Sequence, residues 1–196
     1  MMIKILKIFL RIQFLRRNIV KCIFLPSISR KMINDIELSG SLKKNLKDIK
    51  TLYMNVTKGN KISREKLILY FLFGHKLIVV AKNIDKEIIG LELYYFNKKD
   101  LIEGTIHQGF RGVKQEKQGI GIGTVITSHA IGHFKNAGLS GISSRVSLNN
   151  ISSLRSNQKL GFHPVEEYYD KKMDEQRYYL ICDFKDDFSE KNNFFS

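Results

Sequence analysis

Hydrophobic positions along the 196 residues change repeatedly between the spacing of helices and the spacing of strands. Apolar residues recur three and four positions apart in three segments, which predicts amphipathic helices over residues 42–53, 63–73 and 125–137. A fourth, short helix is expected between Asn149 and Gly161, and a turn at 97–100. β-Branched runs and apolar–polar alternation predict strands at residues 33–38, 77–81, 87–96, 105–113, 142–148, 164–169 and 177–184.

The first 25 residues have a different pattern, in which Lys and Arg recur among aliphatic residues. Eight of the 33 basic residues and none of the 19 acidic residues lie in residues 1–34, so much of the net charge of +14 concentrates there. On a helical wheel the basic side chains occupy one side and the aliphatic side chains another. The charges interrupt the apolar run, which excludes a membrane-spanning helix, and no small-residue cleavage site follows, so a signal peptide is not expected.

A basic amphipathic helix of this kind is typical of proteins that bind an anionic membrane surface, here through residues 1–25. The alternative is a helix whose apolar face packs on its own domain or on a second copy of the chain. Pro26 separates this segment from the remainder. We therefore predict a basic amphipathic N-terminal segment at residues 1–32, a domain at 33–185 and a flexible C-terminal tail at 186–196.

Cysteine and histidine residues do not indicate a disulfide framework or a metal site. Cys22 and Cys182 are far apart and form no Cys-x-x-Cys motif, which suits a reducing cytoplasm. His129 and His133 have the four-residue spacing of metal ligands on a helix, but no third ligand accompanies them. We therefore expect no metal.

A glycine-rich stretch, Gln118-Gly-Ile-Gly-Ile-Gly-Thr124, comes directly before the third helix. The first N–H groups of a helix have no intrahelical partner, and the helix dipole places partial positive charge there. Glycine keeps side chains away from those N–H groups, so an anion such as a diphosphate can contact them. The spacing matches neither the P-loop, which needs Gly-Lys-Ser/Thr, nor the G-x-G-x-x-G dinucleotide fingerprint. An ordinary strand–helix turn is the alternative interpretation.

Two motifs in this region resemble those of the GNAT N-acetyltransferases. Gln118-x-x-Gly121-x-Gly123 is similar to the family's pyrophosphate-binding motif, (Gln/Arg)-x-x-Gly-x-(Gly/Ala). One helix and one strand later, residues 150–154 (Asn-x-x-Ser-Leu) and 159–162 (Lys-Leu-Gly-Phe) are similar to its next motif. The resemblance implies an α/β (α+β) fold with a mixed, mostly antiparallel sheet and helices on both faces. The predicted order β-α-α-β-β-β-α-β-α-β-β is that of this fold, in which the fourth and fifth strands splay apart.

The resemblance also implies acetyl-CoA as the co-substrate, bound between the fourth and fifth strands. The pantetheine would pair with the backbone of residues 105–113, where Gly109 and Gly112 are compatible with a β-bulge. Asn150 would cap the helix that follows it as well as face the cofactor. The residues expected to bind acetyl-CoA are Val113, Gln118, Gly119, Gly121, Gly123, Thr124 and Asn150.

Acyl transfer from a thioester to an amine needs a base for the ammonium proton and an acid for the leaving thiolate. His107 is the first candidate for the base, because imidazole titrates in the right range. Glu103 is the second candidate, and Glu92 is a further carboxylate. Many family members use a Tyr seven residues after the motif Asn as the acid, but this chain has Asn157, which has no acidic proton. The acid is therefore unassigned, with Ser156 or a C-terminal tyrosine as alternatives.

The sequence thus predicts an N-acetyltransferase that moves an acetyl group from acetyl-CoA to a small primary amine. The basic segment favours an amino-sugar of surface polysaccharide synthesis as acceptor, and a cytoplasmic protein held peripherally on the inner face of the membrane. A non-catalytic CoA-binding or membrane-associated regulatory module is the alternative, because the usual Tyr is missing. Nucleic acid is not expected as a partner, since the basic residues alternate with aliphatic side chains. A homodimer is compatible with the pattern.

Overall fold

The computed structural model describes residues 2–184, which form an eight-stranded sheet in the order β1-β2-β3-β4-β5-β6-β8-β7. The strands are Lys31–Ile33 (β1), Ile36–Gly40 (β2), Ile78–Lys82 (β3), Ile88–Tyr95 (β4), Thr105–Val113 (β5), Gly141–Ser147 (β6), His163–Asp170 (β7) and Glu175–Asp183 (β8). The α-helices are Met2–Phe24 (α1), Leu46–Val56 (α2), Arg64–Leu77 (α3), Lys98–Glu103 (α4), Ile122–Asn136 (α5) and Ile151–Lys159 (α6). The predicted tail at residues 186–196 lies outside the described residues.

Within the described sheet, neighbouring strands are antiparallel except for β5 and β6, which are parallel. The chain passes from β5 to β6 through α5, the kind of crossover that a parallel pair requires. β8 then pairs with β6, and β7 forms the edge of the sheet. The predicted mixed, mostly antiparallel sheet is confirmed.

Helices cover both faces of the sheet, as predicted. A Cβ built on Gly90 of β4 would meet the side chain of Ile126 in α5 at 2.8 Å. A Cβ on Gly112 of β5, which pairs with Leu91, would lie 3.3 Å from the side chain of Val56 in α2. Because successive side chains along a strand point to opposite faces, α5 and α2 lie on opposite sides of the sheet.

The core is densest where α5 packs on β3 and β4. Every residue of β3 is buried, which explains the unbroken apolar run over its first four residues, 78–81. α5 contributes Ile126, Ala130 and Phe134, which are four residues apart along one face and fully buried. Full burial of a large apolar side chain contributes about 1.5–3 kcal/mol to folding. This layer therefore fixes the position of α5 and of the glycine-rich stretch that precedes it.

α1 packs its second half on the domain and leaves its first half exposed. Phe14, Asn18 and Cys22, four residues apart, are buried. Asn18 donates from Nδ2 to the carbonyl of Phe96 (3.0 Å) and accepts at Oδ1 from the Phe96 N–H (2.7 Å). The second half of α1 therefore packs on its own domain, which was the alternative to membrane binding. The first half exposes large apolar side chains: Ile5, Leu6, Ile8, Phe9, Leu10 and Ile12. Among the described helices, none is long and apolar enough to span a membrane.

The single strand predicted at residues 33–38 is wrong, because β1 and β2 form a hairpin there. Asn34 and Asp35 at its tip have φ of 39° and 45°, a left-handed conformation that Asn and Asp tolerate better than other residues with side chains. Two such residues in sequence are typical of a two-residue hairpin turn. The additional strand makes the predicted fourth and fifth strands β5 and β6.

Two further boundaries differ from prediction. Asn97 and Asp100, predicted to bound a turn, instead cap α4, since the side chain of each accepts from the other's backbone N–H. Gly74, predicted to end α3, lies inside that helix. The backbone is kinked at the preceding residue, Phe73, with φ of −126° and ψ of 21°.

Candidate active site

β5 and β6 pair over their first residues and then separate. The parallel register joins Thr105 to Gly141 and ends where Gln108 lies opposite Ser144. Beyond that point β5 remains paired with β4 on its other side, and β6 remains paired with β8. A cleft with a volume of about 550 Å³ opens between the separated ends, lined by residues of β5, β6, β8 and α6. The predicted splay of these two strands is confirmed.

A β-bulge in β5 lies where the two strands separate. Phe110 and Gln108 pair with consecutive residues of β4, so Gly109 between them is the additional residue. A Cβ on Gly109 would lie 2.3 Å from the ring of Tyr95, which explains the glycine. Gly112 stays in register with its partner. The bulge takes Gly109 out of the ladder at the edge of the cleft.

The glycine-rich stretch forms the entry to α5. Gly119 and Gly121 have φ of 81° and 87°, a conformation that glycine adopts without steric cost. In the described chain no atom lies within 4 Å of a Cβ built on either residue, so conformation rather than space selects glycine. α5 begins at Ile122, which leaves its first N–H groups without intrahelical partners. A Cβ on Gly123 would lie 3.5 Å from Cδ of Arg111, a residue that lines the cleft.

The other residues predicted to bind the cofactor lie near the C-terminal end of β5 and the N-terminal end of α5. Gln118 donates from Nε2 to the carbonyl of Val113 (3.1 Å), which ties the loop to the end of β5. Asn150 lines the cleft, and its Oδ1 accepts from the N–H three residues later (3.1 Å), which is the predicted helix cap. Thr124 Oγ1 lies 3.2 Å from the hydroxyl of Ser156 in α6. Contact of these residues with acetyl-CoA remains a prediction.

A buried carboxylate lies under the cleft, on the face covered by α5. Glu92 of β4 is fully buried, and burial raises the pKa of its carboxyl, while the guanidinium of Arg111 opposes that rise. Arg111 lies directly opposite Glu92 in the β4–β5 register. The carboxylate accepts hydrogen bonds from three neighbours: Tyr94, Gln108 and Thr127. Protein groups therefore already occupy its oxygens.

Arg111 connects this network to the residue at the family's tyrosine position. Its Nη1 donates to Oδ1 of Asn157 (2.9 Å) and to Oγ1 of Thr127 (3.2 Å). Asn157 is buried and lines the cleft. Its Nδ2 has no hydrogen-bond partner within residues 2–184. Asn157 therefore has a spare N–H donor beside the cleft, where many family members have an acid.

His107 is buried beside the ring of Tyr95, on the opposite face of the sheet from Glu92. Its Nδ1 lies 2.8 Å from Oγ of Ser143, and that hydroxyl donates to Oδ1 of Asp100 (2.7 Å). Because Ser143 gives its one proton to Asp100, Nδ1 of His107 is the donor and Nε2 carries the lone pair. Desolvation lowers the pKa of His107 to about 3, and nearby cations add to the shift. The imidazole is therefore neutral at physiological pH.

The remaining candidates lie away from the cleft. Glu103 ends α4, and its Oε1 is 3.9 Å from Nζ of Lys99. Neither Glu103 nor His107 is among the described residues that line the cleft, so their catalytic roles remain predictions. His129 bonds through Nε2 with the carbonyl of Ser29 (3.0 Å). Among the described residues, no three His, Cys, Asp or Glu side chains form a group that could hold a metal.

A second pocket, which we call the acceptor-side pocket, lies under α2 and α3 and has a volume of about 310 Å³. Gly109 and Phe110 line both this pocket and the cleft, so the two cavities meet at the bulge. Its polar walls include Tyr53, Lys61, Glu65, Lys66, Tyr70 and Lys172. Sequence reasoning did not single these residues out for a functional role, because only the tertiary fold brings their separate elements together.

Comparison with solved structures identifies the arrangement as the fold of the GNAT acetyltransferases, which confirms the predicted fold. Arabidopsis thaliana Naa50, in complex with the bisubstrate analogue CoA-Ac-MVNAL, has 20% identity and a TM-score of 0.65 over 76% of this chain and 99% of its own. The ribosomal-protein-S5-alanine acetyltransferase of Vibrio fischeri has 18% identity and a TM-score of 0.65 over 81% and 98% of the two chains.

A third structure is the diaminobutyrate acetyltransferase EctA of Paenibacillus lautus, in complex with L-2,4-diaminobutyric acid and coenzyme A. It has 13% identity and a TM-score of 0.64 over 78% of this chain and 97% of its own. At the level of sequence, no family model and no curated protein matches the chain. The likeness is therefore one of fold, and the chemistry has to be argued from the residues.

Proposed function

We propose that this protein transfers an acetyl group from acetyl-CoA to an amine. The observation that carries the proposal is the separation of β5 and β6 beyond Gln108 and Ser144, which opens a cleft next to the glycine-rich entry to α5. The unpaired N–H groups and the positive end of the helix dipole at that entry suit a diphosphate. The fold agrees, since Naa50 and EctA, which share it, were solved with a CoA analogue and with coenzyme A.

In this proposal the diphosphate lies at the start of α5 and the pantetheine runs back along β5 to the bulge. The unpaired edge of β5 beyond Gln108 provides backbone groups for the pantetheine amides. The thioester would then lie near Gly109, where the cleft meets the acceptor-side pocket. The residues proposed to hold the cofactor are the seven predicted ones: Val113, Gln118, Gly119, Gly121, Gly123, Thr124 and Asn150.

The amine would reach the thioester from the acceptor-side pocket. Its nitrogen attacks the carbonyl carbon, a C–N bond forms, the C–S bond breaks, and coenzyme A leaves as the thiolate. The proton lost by the amine passes to a base, and the thiolate gains a proton on release. Asn157, with its spare Nδ2 donor, is proposed to give the leaving sulfur a neutral hydrogen bond rather than a proton.

His107 and Glu103 remain the proposed bases, in that order. His107 would act through Nε2 as a neutral imidazole, because its Nδ1 donates to Ser143. Since its pKa is lowered to about 3, an inflection of the rate between pH 6 and 7 would not report on this residue. Glu65, which lines the acceptor-side pocket, is a carboxylate candidate that the structure adds.

Two finer proposals concern the acceptor and the location. We propose an amino-sugar of surface polysaccharide synthesis as acceptor, and a cytoplasmic protein that contacts an anionic membrane through the first half of α1. The exposed apolar side chains from Ile5 to Ile12, with Lys7 and Arg11 among them, support membrane contact. Co-flotation with phosphatidylglycerol vesicles but not with phosphatidylcholine vesicles is the expected result. Equal flotation with both would contradict an electrostatic attraction.

Free thiol released from acetyl-CoA, measured with a panel of amines, tests the proposed reaction. Amine-dependent release, with the acetylated amine identified by mass spectrometry, is expected. Calorimetric titration with CoA is the companion measurement. CoA binding without amine-dependent release would favour the alternative, a non-catalytic CoA-binding module. Failure to bind CoA would overturn both.

A further inference from the structure

The acceptor-side pocket contains more positive than negative charge. Lys61, Lys66 and Lys172 line it, whereas Glu65 is the single carboxylate among its described lining residues. Glu65 also faces Arg11 of α1, whose Nε lies 3.6 Å from its Oε2. The one negative charge of the pocket is thus shared with a cation outside it. An incoming ligand meets a basic surface.

Lys66 is the most enclosed of the three lysines. Its Nζ lies 4.0 Å from the centre of the Tyr95 ring. This cation–π contact attracts the ammonium but provides no strong hydrogen-bond acceptor for its three N–H groups. Desolvation lowers the pKa of Lys66 to about 8. Glu65 opposes this shift, and the nearby cations Lys172 and Arg145 add to it. An ammonium that is this poorly compensated would gain most from an anionic ligand.

Tyr70 gives an independent indication that the pocket takes a polar ligand. Its side chain is 2% exposed and lines the pocket. Its hydroxyl has no hydrogen-bond partner in the described part of the chain. Buried hydroxyl groups are nearly always paired, so a ligand group within reach would supply the missing partner.

Building on the proposed acetyltransferase function, we propose that the acceptor amine also carries an anionic group, a carboxylate or a phosphate, which Lys66 binds in the acceptor-side pocket. Lys172 adds a second cation at the rim, and Tyr70 adds a hydroxyl. With the anion held there, the amine can point to the bulge at Gly109, where the thioester would lie. A polyamine would place its own cations against three lysines and is therefore disfavoured. Lys66 would determine specificity, not chemistry.

Matched pairs of acceptors test the inference. Lysine and cadaverine differ by one carboxylate, and glucosamine 6-phosphate and glucosamine differ by one phosphate. We expect kcat/KM for the anionic member of at least one pair to exceed that of its partner by about 10- to 100-fold, the range of a hydrogen bond to a charged group. The pair that shows the preference distinguishes a carboxylate from a phosphate.

Three variants assign the preference to one side chain. Lys66→Met should abolish it, Lys66→Arg should retain most of it, and Lys50→Met, at an exposed position of α2 that does not line the pocket, should leave it unchanged. CoA affinity, measured by calorimetry, should be the same in all three, because the cofactor cleft lies on the other side of the bulge. Equal CoA affinity also shows that a variant is folded.

A binding measurement does not depend on which acceptor is used. Trace labelling of lysines with acetic anhydride, read by mass spectrometry, should show that inorganic phosphate slows labelling of Lys66 more than of Lys61. Absence of this protection, or an equal rate with both members of every pair, would overturn the inference. A preference that survives in Lys66→Met would do the same. None of these outcomes affects the proposed function, which instead stands or falls on CoA binding and on amine-dependent thiol release.

Discussion

Gly121 combines two properties that substitution can separate, a left-handed backbone and the absence of a side chain. With φ of 87°, the position tolerates Asn better than other residues with side chains. A side chain there would enter open space within the described chain, so it would not disturb packing. Asp and Asn have nearly the same shape, and Asp at a helix N-cap is favourable for stability. Only its charge opposes a diphosphate.

We therefore predict that Gly121→Asp weakens CoA binding by about 10- to 100-fold more than Gly121→Asn does, because like charges meet at the helix N-terminus. Calorimetry of CoA binding with both variants measures the difference. Thermal unfolding should show Gly121→Asp to be at least as stable as Gly121→Asn. Equal CoA affinity of the two variants would place the diphosphate elsewhere.

His107 is expected to make the protein less stable in acid. Its folded-state pKa of about 3 lies below the ordinary value of 6.5. The unfolded state therefore binds more protons between these values, so the stabilisation is fully present above pH 6.5 and is lost as the pH falls toward 3. Near pH 5 the loss amounts to about 2 kcal/mol. His133, with a pKa lowered by burial to about 4, acts in the same direction.

Urea unfolding at pH 7.5 and pH 5 measures this effect in the wild-type protein and in His107→Gln. The variant should lose less stability than the wild type on acidification, since glutamine does not titrate. An unchanged pH dependence would mean that His107 is not enclosed in a neutral state.

At the scale of single elements, α1 was predicted from sequence to be a separate segment, but its second half packs on the domain. Asn18 accepts from the N–H and donates to the C=O of Phe96, the residue just after β4. Phe14 packs against the ring of Tyr95, with 5.6 Å between ring centres. Nε of Arg17 also donates to the Phe96 carbonyl (3.0 Å), so the helix covers the end of β4 through polar contacts from two residues and one aromatic contact.

We predict that Asn18→Leu lowers the free energy of unfolding by about 1–3 kcal/mol, because it leaves the buried N–H of Phe96 without a partner. The carbonyl of Phe96 still accepts from Nε of Arg17 (3.0 Å). Arg16→Leu is the matched control: it introduces the same residue on an exposed position of the same helix and should change stability little. Urea unfolding of both variants provides the measurement. If Asn18→Leu is as stable as Arg16→Leu, α1 does not dock on β4 in solution.

Some elements that depend on local sequence signals could be predicted from the sequence. Features that depend on contacts between distant parts of the chain could not. The entry to α5 was predictable because Gly121 has to be glycine for a local reason, its positive φ. The hairpin at Asn34 and Asp35 was missed although its signal is local, because the flanking residues continue the alternation of a strand. The acceptor-side pocket could not be predicted. Lys66 and Lys172 come together only when α3 and the β7–β8 turn fold over β5.

Across the whole molecule, the sheet is continuous where β5 and β6 begin and open where they end. Hydrogen exchange should report this difference, because an amide exchanges when its hydrogen bond is absent or opens. Amides between the paired residues, 105–108 and 141–144, should exchange slowly in every state. Amides of residues 109–113 that face the gap should exchange quickly without ligand.

Addition of CoA should slow exchange at those gap-facing amides and at the start of α5, and leave the paired region unchanged. Hydrogen exchange with mass spectrometry measures both regions in one experiment. Protection confined to another part of the sheet would contradict binding in the cleft.

The docking of α1 also positions residues of the acceptor-side pocket. Arg11 of α1 lies 3.6 Å from Glu65 in the acceptor-side pocket, and Phe14 supports the Tyr95 ring over which Lys66 lies. A chain shortened to the predicted domain, residues 33–185, would keep both strands of the cofactor cleft and the glycine-rich entry to α5. It would lose the cation behind Glu65 and the aromatic support behind Lys66. Its choice of acceptor would therefore not represent that of the full chain, so substrate screens require the N-terminal helix.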